Sequence, residues 1–261
     1  MAEQVRAEIS DGIAQIVLCA PQSGNQIDVD FVGSLHRVLD VVEPDETVRA
    51  VLIRAEGEHF SYGGNMRAFH ACLDDLPAAI MALFEGFNPM LERVEALPVP
   101  VVAQVQGWCV GGALGMAALA DILVAGEGAR FRASFPGLGI SNAAGSTVSF
   151  SARMGVQAAK RFCLLNEPMD ALQAKESGLV DMVLPDADLD REALALATWL
   201  AAGPTLSYRG MRRNFGRYAG MAYGEVLRME AESLRVCSES ADVAEAVRAF
   251  IEKRRPTMTG Q

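Results

Sequence analysis

The chain has 261 residues, 51% of them hydrophobic, so it has the material for one large packed domain or for a domain with an appendage. Its formal net charge of -10 excludes the concentrated basic face that nucleic acid or an anionic membrane would need. A small anionic ligand stays open, because a few local cations suffice to hold one.

Residues 4–19 alternate around Asp11-Gly12, which predicts a hairpin. Phe31, Val32, Leu35, Val38, Leu39 and Val42 share one helical face behind Asp28 and Asp30, so a helix is expected over 28–43. The run VRAVLIRA (48–55) reads as a buried strand, 78–96 as a helix, and VPVVAQV (99–105) as another buried strand. A helix over 112–120 and a strand over 121–126 follow. Strands alternating with helices at this spacing predict an α/β protein with a layered sheet. After about residue 188 the pattern is helical only, over 189–202, 205–215, 222–237 and 241–254. The expected organisation is a core over 1–188 and a helical region over 189–261, suited to assembly.

Five scattered cysteines, at 19, 72, 109, 163 and 237, show no CxxC pairing and read as reduced thiols of a cytoplasmic protein. The N-terminal MAEQVRAEISDG is charged from Glu3 onward, so no secretory signal is expected. Ala96 to Ala120 is a run of 25 uncharged residues, long enough to cross a bilayer. Pro98, Pro100, Gln104, Gln106 and four glycines interrupt it, which fits a strand followed by a helix better than a membrane span.

Two glycine turns carry the candidate chemistry. Gly111 and Gly112 stand at the mouth of an apolar helix in GWCVGGALGMAALAD (107–121), and a second pair lies in FSYGGNM (60–66). Glycine lets the backbone approach a ligand, and the first amides of a helix have no intrahelical partner. Two such amides facing one carbonyl oxygen would make an oxyanion hole. Tight turns and close helix packing account for glycine pairs equally well on their own.

HFSYGGNM and VQGWCVGGALGMAALADILVAGEGARF resemble the first and second signatures of the crotonase (enoyl-CoA hydratase/isomerase) superfamily. VRAVLIRAEGEHF, MDALQAKESGLVDMVLP and AFIEKRRPTMTG extend the resemblance, in order, from about residue 10 to the C-terminus. It implies a spiral of ββα units with a C-terminal helical trimerisation region, trimers or dimers of trimers, and an acyl-CoA ligand. No metal is implied, and no cofactor beyond the CoA moiety of the substrate. By position, the hole amides would be those of Gly64 and Gly112. Tyr62, Gly63, Asn65, Gly111, Phe135 and Ser141 would line the substrate site, and Arg67, Arg212, Arg213 and Lys253 would meet the CoA phosphates.

The family's acids are missing in this alignment. The paired hydratase glutamates fall on Gly115 and Phe135, and the isomerase acid on Ala143, none of which can carry a proton. Residues 128–169 contain a single carboxylate, Glu167. Asn142 could orient a carboxylate or water but not accept a proton. Ser141, Asn142 and Ser146 serve equally well as caps for a helix starting near 145. His70 could titrate near neutral pH, although a helix surface is the simpler place for it. Cys109 could be a nucleophile only if it faced His70; a buried thiol is the default. Asp121 matches a family Asp that is mostly structural. The expected function is an acyl-CoA enzyme working through an enolate hole without the hydratase acids; the alternative is a silent homologue that binds acyl-CoA or co-assembles.

Overall fold

Asp11 and Gly12 both take left-handed backbone angles (φ 52° and 77°), as a two-residue hairpin loop requires. They join β1 (Val5–Ser10) to β2 (Ile13–Leu18) antiparallel, with Ile9 opposite Ala14. In this computed structural model, which describes residues 3–203, 205–216, 223–225, 241–254 and positions 231, 235, 238, 239 and 256, every later strand of the main sheet is parallel. These are β3 (Ala50–Ala55), β4 (Val101–Val105), β6 (Ile122–Gly126) and β9 (Met182–Leu184), giving the order β1-β2-β3-β4-β6-β9.

Parallel neighbours need crossovers, and here each crossover holds a short second-layer segment and then a helix. After β2 come Ile27 and α1 (Val29–Val42); after β3 come Ser61 to Gly64, α2 (Met66–Ala71) and α3 (Leu76–Ala96). After β4 come β5 (Trp108–Val110) and α4 (Gly112–Ala117). After β6 come β7 (Arg130–Arg132) and α5 (Ser146–Met154). Isolated parallel bridges link Ile27 to Gly64 and Ser61 to Cys109, β5 pairs parallel with β7, and β8 (Met169–Asp170) closes that edge antiparallel. Sheet strand, second-layer strand, helix: the fold is a ββα spiral of mixed α/β class.

The helices α6 (Val156–Leu165), α7 (Ala171–Glu176), α8 (Leu189–Ala201), α9 (Thr205–Gly216) and α10 (Ala241–Ile251) complete the described chain. Asp28 starts α1 by accepting the amides of Asp30 and Phe31 at 3.1 Å, and the helix buries Phe31, Leu35 and Leu39 in the main core. α8 covers the opposite face of the sheet, with Leu189, Ala193 and Ala197 in one cluster with Ile13, Leu52 and Val102. α10 packs on α2 and on the turn at 136–138. Most of the helix expected over 222–237, Cys237 and the side chain of Arg213 lie outside the described residues.

The elements in the first half match expectation, with trimmed ends. β4 starts only after Pro100, and α4 stops at Ala117, where the chain tightens into bonds from Leu119 to Met116 and Ala120 to Ala117. The uncharged run 96–120 becomes β4, β5 and α4, and no helix among the described residues is long and apolar enough to cross a membrane.

Candidate active site

The parallel bridge between Ser61 and Cys109 fixes the site. Ser61 donates its amide to Trp108 O at 2.9 Å and accepts from Val110 N at 3.1 Å, so the two segments run side by side. Each reaches a glycine three residues later, Gly64 on one and Gly112 on the other. Adjacent strands lie about 4.8 Å apart, so this equal offset brings the two glycines together.

Neighbouring hydrogen bonds set the direction of their amides. Ile27 donates to Gly63 O at 2.8 Å and accepts from Asn65 N at 3.0 Å, so Gly64 turns its own N–H away from the Ile27 segment. The Gly63 amide is held by Ser61 Oγ at 3.0 Å, and the Gly111 amide by Arg132 O at 3.0 Å. Gly112 is the first residue of α4, where an amide has no intrahelical acceptor. Neither Gly64 nor Gly112 donates its N–H to any acceptor among the described residues. The glycines flanking them are compulsory: a Cβ on Gly63 (φ 77°) would lie 2.7 Å from Val110 O, and Gly111 has φ 58° with ψ -127°.

Gly64 and Gly112 both border one cavity of about 620 Å³. Ile27, Leu83, Phe84, Phe87, Val110 and Phe135 make its wall largely apolar. No Asp or Glu lines it among the described residues, and the one charged side chain on it is Arg132. The three positions expected to match family acids differ in their surroundings. At Gly115 a Cβ would meet Ala144 O at 2.5 Å, because Ala144 (φ 54°) turns its backbone onto α4. Phe135 is 4% exposed and forms part of the wall, and Ala143 is 1% exposed.

A second cavity of about 880 Å³ adjoins the first through Gln26 and Tyr62, and is bordered by Glu56, Glu58, His59 and Arg67. The Tyr62 ring stands edge-on to His59 at 4.8 Å, and burial, helped by Glu58, pushes its phenol above the usual tyrosine range. Asn65 also borders this cavity. Its side-chain oxygen caps α2 through the amides of Arg67 and Ala68 at 3.1 Å, and its amide group donates to Asp28 at 3.1 Å.

Of the residues expected at the site, Tyr62, Gly63, Gly64, Gly111, Gly112 and Phe135 come together around the smaller cavity, while Asn65 and Arg67 border the larger. Ser141 and Asn142 border neither; Asn142 gives its side-chain amide to the Thr147 hydroxyl at the start of α5. Arg212 requires a correction as a phosphate ligand. Its guanidinium is turned inward onto Leu97 O at 2.9 Å, Glu95 O at 2.7 Å and the Asp121 carboxylate, tying α9 to the end of α3. Asp121 also accepts from Val101 N at 2.7 Å, which is the structural role expected for it. Lys253 is exposed and borders neither cavity. His70 is exposed on α2, whereas Cys109 is fully buried on the face of β5 opposite Val110, its thiol pushed well up by burial. A Cys109–His70 pair is therefore ruled out.

Two features escaped the sequence. Arg132 reaches the wall because β7 pairs with β5 in the register Val110 to Arg132, a pairing of strands too short to announce themselves by alternation. The Ala144 backbone over Gly115 depends on a left-handed non-glycine residue, which sequence does not signal.

The family model for enoyl-CoA hydratase/isomerase matches residues 8–261. The chain is 26% identical over 260 residues to a trans-2-decenoyl-(acyl-carrier-protein) isomerase of Streptococcus mutans, covering 99% of each. It is 28% identical over 262 residues to a 1,2-epoxyphenylacetyl-CoA isomerase of Escherichia coli, covering 100% of both. A crystal structure of an enoyl-CoA hydratase from Mycobacterium avium subsp. paratuberculosis K-10 matches with a TM-score of 0.88 at 25% identity over 98% of each chain.

Proposed function

The chain belongs to the enoyl-CoA hydratase/isomerase family, and from that premise we propose that it binds an acyl-CoA thioester and stabilises its enolate between the amides of Gly64 and Gly112. The observation that carries this reading is that Gly64 and Gly112 border one cavity and neither N–H is engaged by an acceptor among the described residues. Fixed donors bind an oxygen that gains charge more strongly than a neutral carbonyl, so they lower the barrier; one such donor contributes about 2.7–4 kcal/mol in enzymes where it has been removed. The apolar wall takes the acyl chain, and Arg67, beside the adjoining cavity, meets the CoA phosphates.

The reaction is one that reaches the enolate without a protein carboxylate. Hydration of an enoyl thioester needs an acid and a base around one water, and this cavity has no Asp, Glu or His among its described residues to supply the pair. Loss of CO2 from a β-carboxy thioester fits. The breaking C–C pair moves into the enolate, CO2 leaves, and a proton from water completes the product. Isomerisation through a base other than a carboxylate, and thioester cleavage, pass through the same hole. The reading needs no cofactor beyond the CoA of the substrate, and it includes a cytoplasmic homotrimer or dimer of trimers.

The absence of a carboxylate from the described lining favours a second reading, a silent homologue that holds acyl-CoA or co-assembles. Incubation with a panel of acyl-CoA thioesters, read by mass spectrometry alongside binding, separates the two. Product from any member supports the enzyme; tight binding without product supports the silent homologue. Failure to bind any thioester overturns the enzyme reading and the acyl-CoA-holding form of the second, leaving co-assembly alone.

A further inference from the structure

Arg132 stands on the wall of the apolar cavity next to the proposed hole. Its carbonyl holds the Gly111 amide at 3.0 Å, so its backbone abuts the residue before Gly112. The register of β7 with β5 places its side chain on the face shared with Val110, which also borders the cavity. Its Nε donates to Asn166 O at 2.9 Å. Asn166 is itself fixed, left-handed at φ 53°, with its side-chain oxygen accepting the Ser134 amide at 2.7 Å. The guanidinium is thus anchored at one nitrogen, while its two terminal nitrogens meet no carboxylate or carbonyl among the described residues.

Arg132 is an exposed residue of β7 that borders an otherwise uncharged cavity lining among the described residues. The chain has 33 Asp and Glu against 23 Lys and Arg, and Arg93, Arg153 and Arg212 are paired with carboxylates. Around this cavity the described lining has an arginine and no acid. A half-anchored guanidinium with its fork free is a receptor for a planar anion.

Resting on the acyl-CoA reading above, we propose that the acyl group of the substrate ends in a carboxylate that pairs with Arg132, so that the substrate class is the mono-CoA thioester of a dicarboxylic acid. The same fork could meet a phosphate of CoA, and the two sources of anion separate by experiment.

The test measures dissociation constants by calorimetry for malonyl-, succinyl-, glutaryl- and adipyl-CoA, each against the unbranched monocarboxylic thioester of equal carbon number. The expected result is that at least one dicarboxylic member binds about tenfold more tightly than its neutral mate. In Arg132→Gln that ratio falls to near one, and Arg132→Lys retains part of it. A wild-type ratio of one across the series overturns the proposal and leaves the acyl-CoA reading standing, since the neutral thioesters still bind. An equal loss for both mates in Arg132→Gln assigns the arginine to phosphate and overturns it as well. If the variants fail to fold, the wild-type ratio decides alone; if no thioester binds, the acyl-CoA reading falls together with the proposal.

Discussion

Gly64 and Gly112 each lie three residues beyond the bridged pair Ser61 and Cys109, where their two segments run parallel. The bridge fixes the spacing, the Ile27 bonds and α4 fix the amide directions, and the glycines leave the approach to both nitrogens bare.

Replacing Gly112 by proline removes one of these hydrogens. Proline is tolerated in the first turn of a helix, and a Cβ at 112 meets Ala144, Phe87 and Ile27 at ordinary distances of 3.5–3.7 Å. Turnover of whichever thioester the wild type converts is expected to fall by about 10²–10³ in kcat, with the circular dichroism spectrum retained. Gly112→Ala, which keeps the N–H, is expected to lose less. Equal loss in the two variants would mean that bulk, not the missing hydrogen, is responsible.

Restoring the family acid in place does not restore hydration. In Gly115→Glu the new Cβ lies 2.5 Å from Ala144 O, so backbone must move. Such overpacking costs about 1–3 kcal/mol, visible as a lowered melting temperature, and crotonyl-CoA hydration stays at the wild-type level. A stable variant with a large gain in hydration would show that Ala144 yields freely.

Arg212 is a fastener for α9, not a phosphate ligand. Arg212→Met leaves Leu97 O, Glu95 O and Asp121 without their donor. The expected loss is about 1.5–3 kcal/mol of stability, the scale for hydrogen bonds to charged groups, with CoA affinity changed by less than about twofold, a negligible share of the scale on which tenfold is 1.4 kcal/mol. A selective loss of CoA affinity in a stable variant would contradict this placement.

Glu95 gives the fold a pH dependence of known sign. Burial raises its carboxyl above the usual range, Asp121 and Glu92 add to the shift, and Arg212 opposes it. The folded state therefore holds the proton more tightly than the unfolded one. This contribution to stability is complete below the ordinary glutamate pKa of about 4.3 and is lost as pH rises through the folded value. Glu95→Gln should melt higher than wild type at pH 7, with the gap closing near pH 4. A gap of equal size at both pH values would remove the titration from the explanation.

The sequence showed the alternation of strands and helices wherever elements were long enough to carry a period. α1 was legible from Phe31, Leu35 and Leu39 recurring behind Asp28, and the hairpin from Asp11-Gly12. β5 and β7, at three residues each, carry too little pattern to be seen. The glycine pairs were legible as pairs, and the structure requires glycine at Gly63 and Gly111, where φ is positive. What sequence could not show was direction: that Arg212 turns inward and Arg132 toward the cavity depends on packing of elements 91 residues apart in one case and on a three-residue register in the other.

The most direct test is isotope-edited infrared difference spectroscopy of an unreactive acyl-CoA bearing a ¹³C-labelled thioester carbonyl. With both amides hydrogen-bonded to that oxygen, the bound carbonyl band moves to lower wavenumber than in free thioester, and the shift shrinks in Gly112→Pro. A bound thioester whose carbonyl band stays at its solution position, in wild type and variant alike, would contradict the account at its centre.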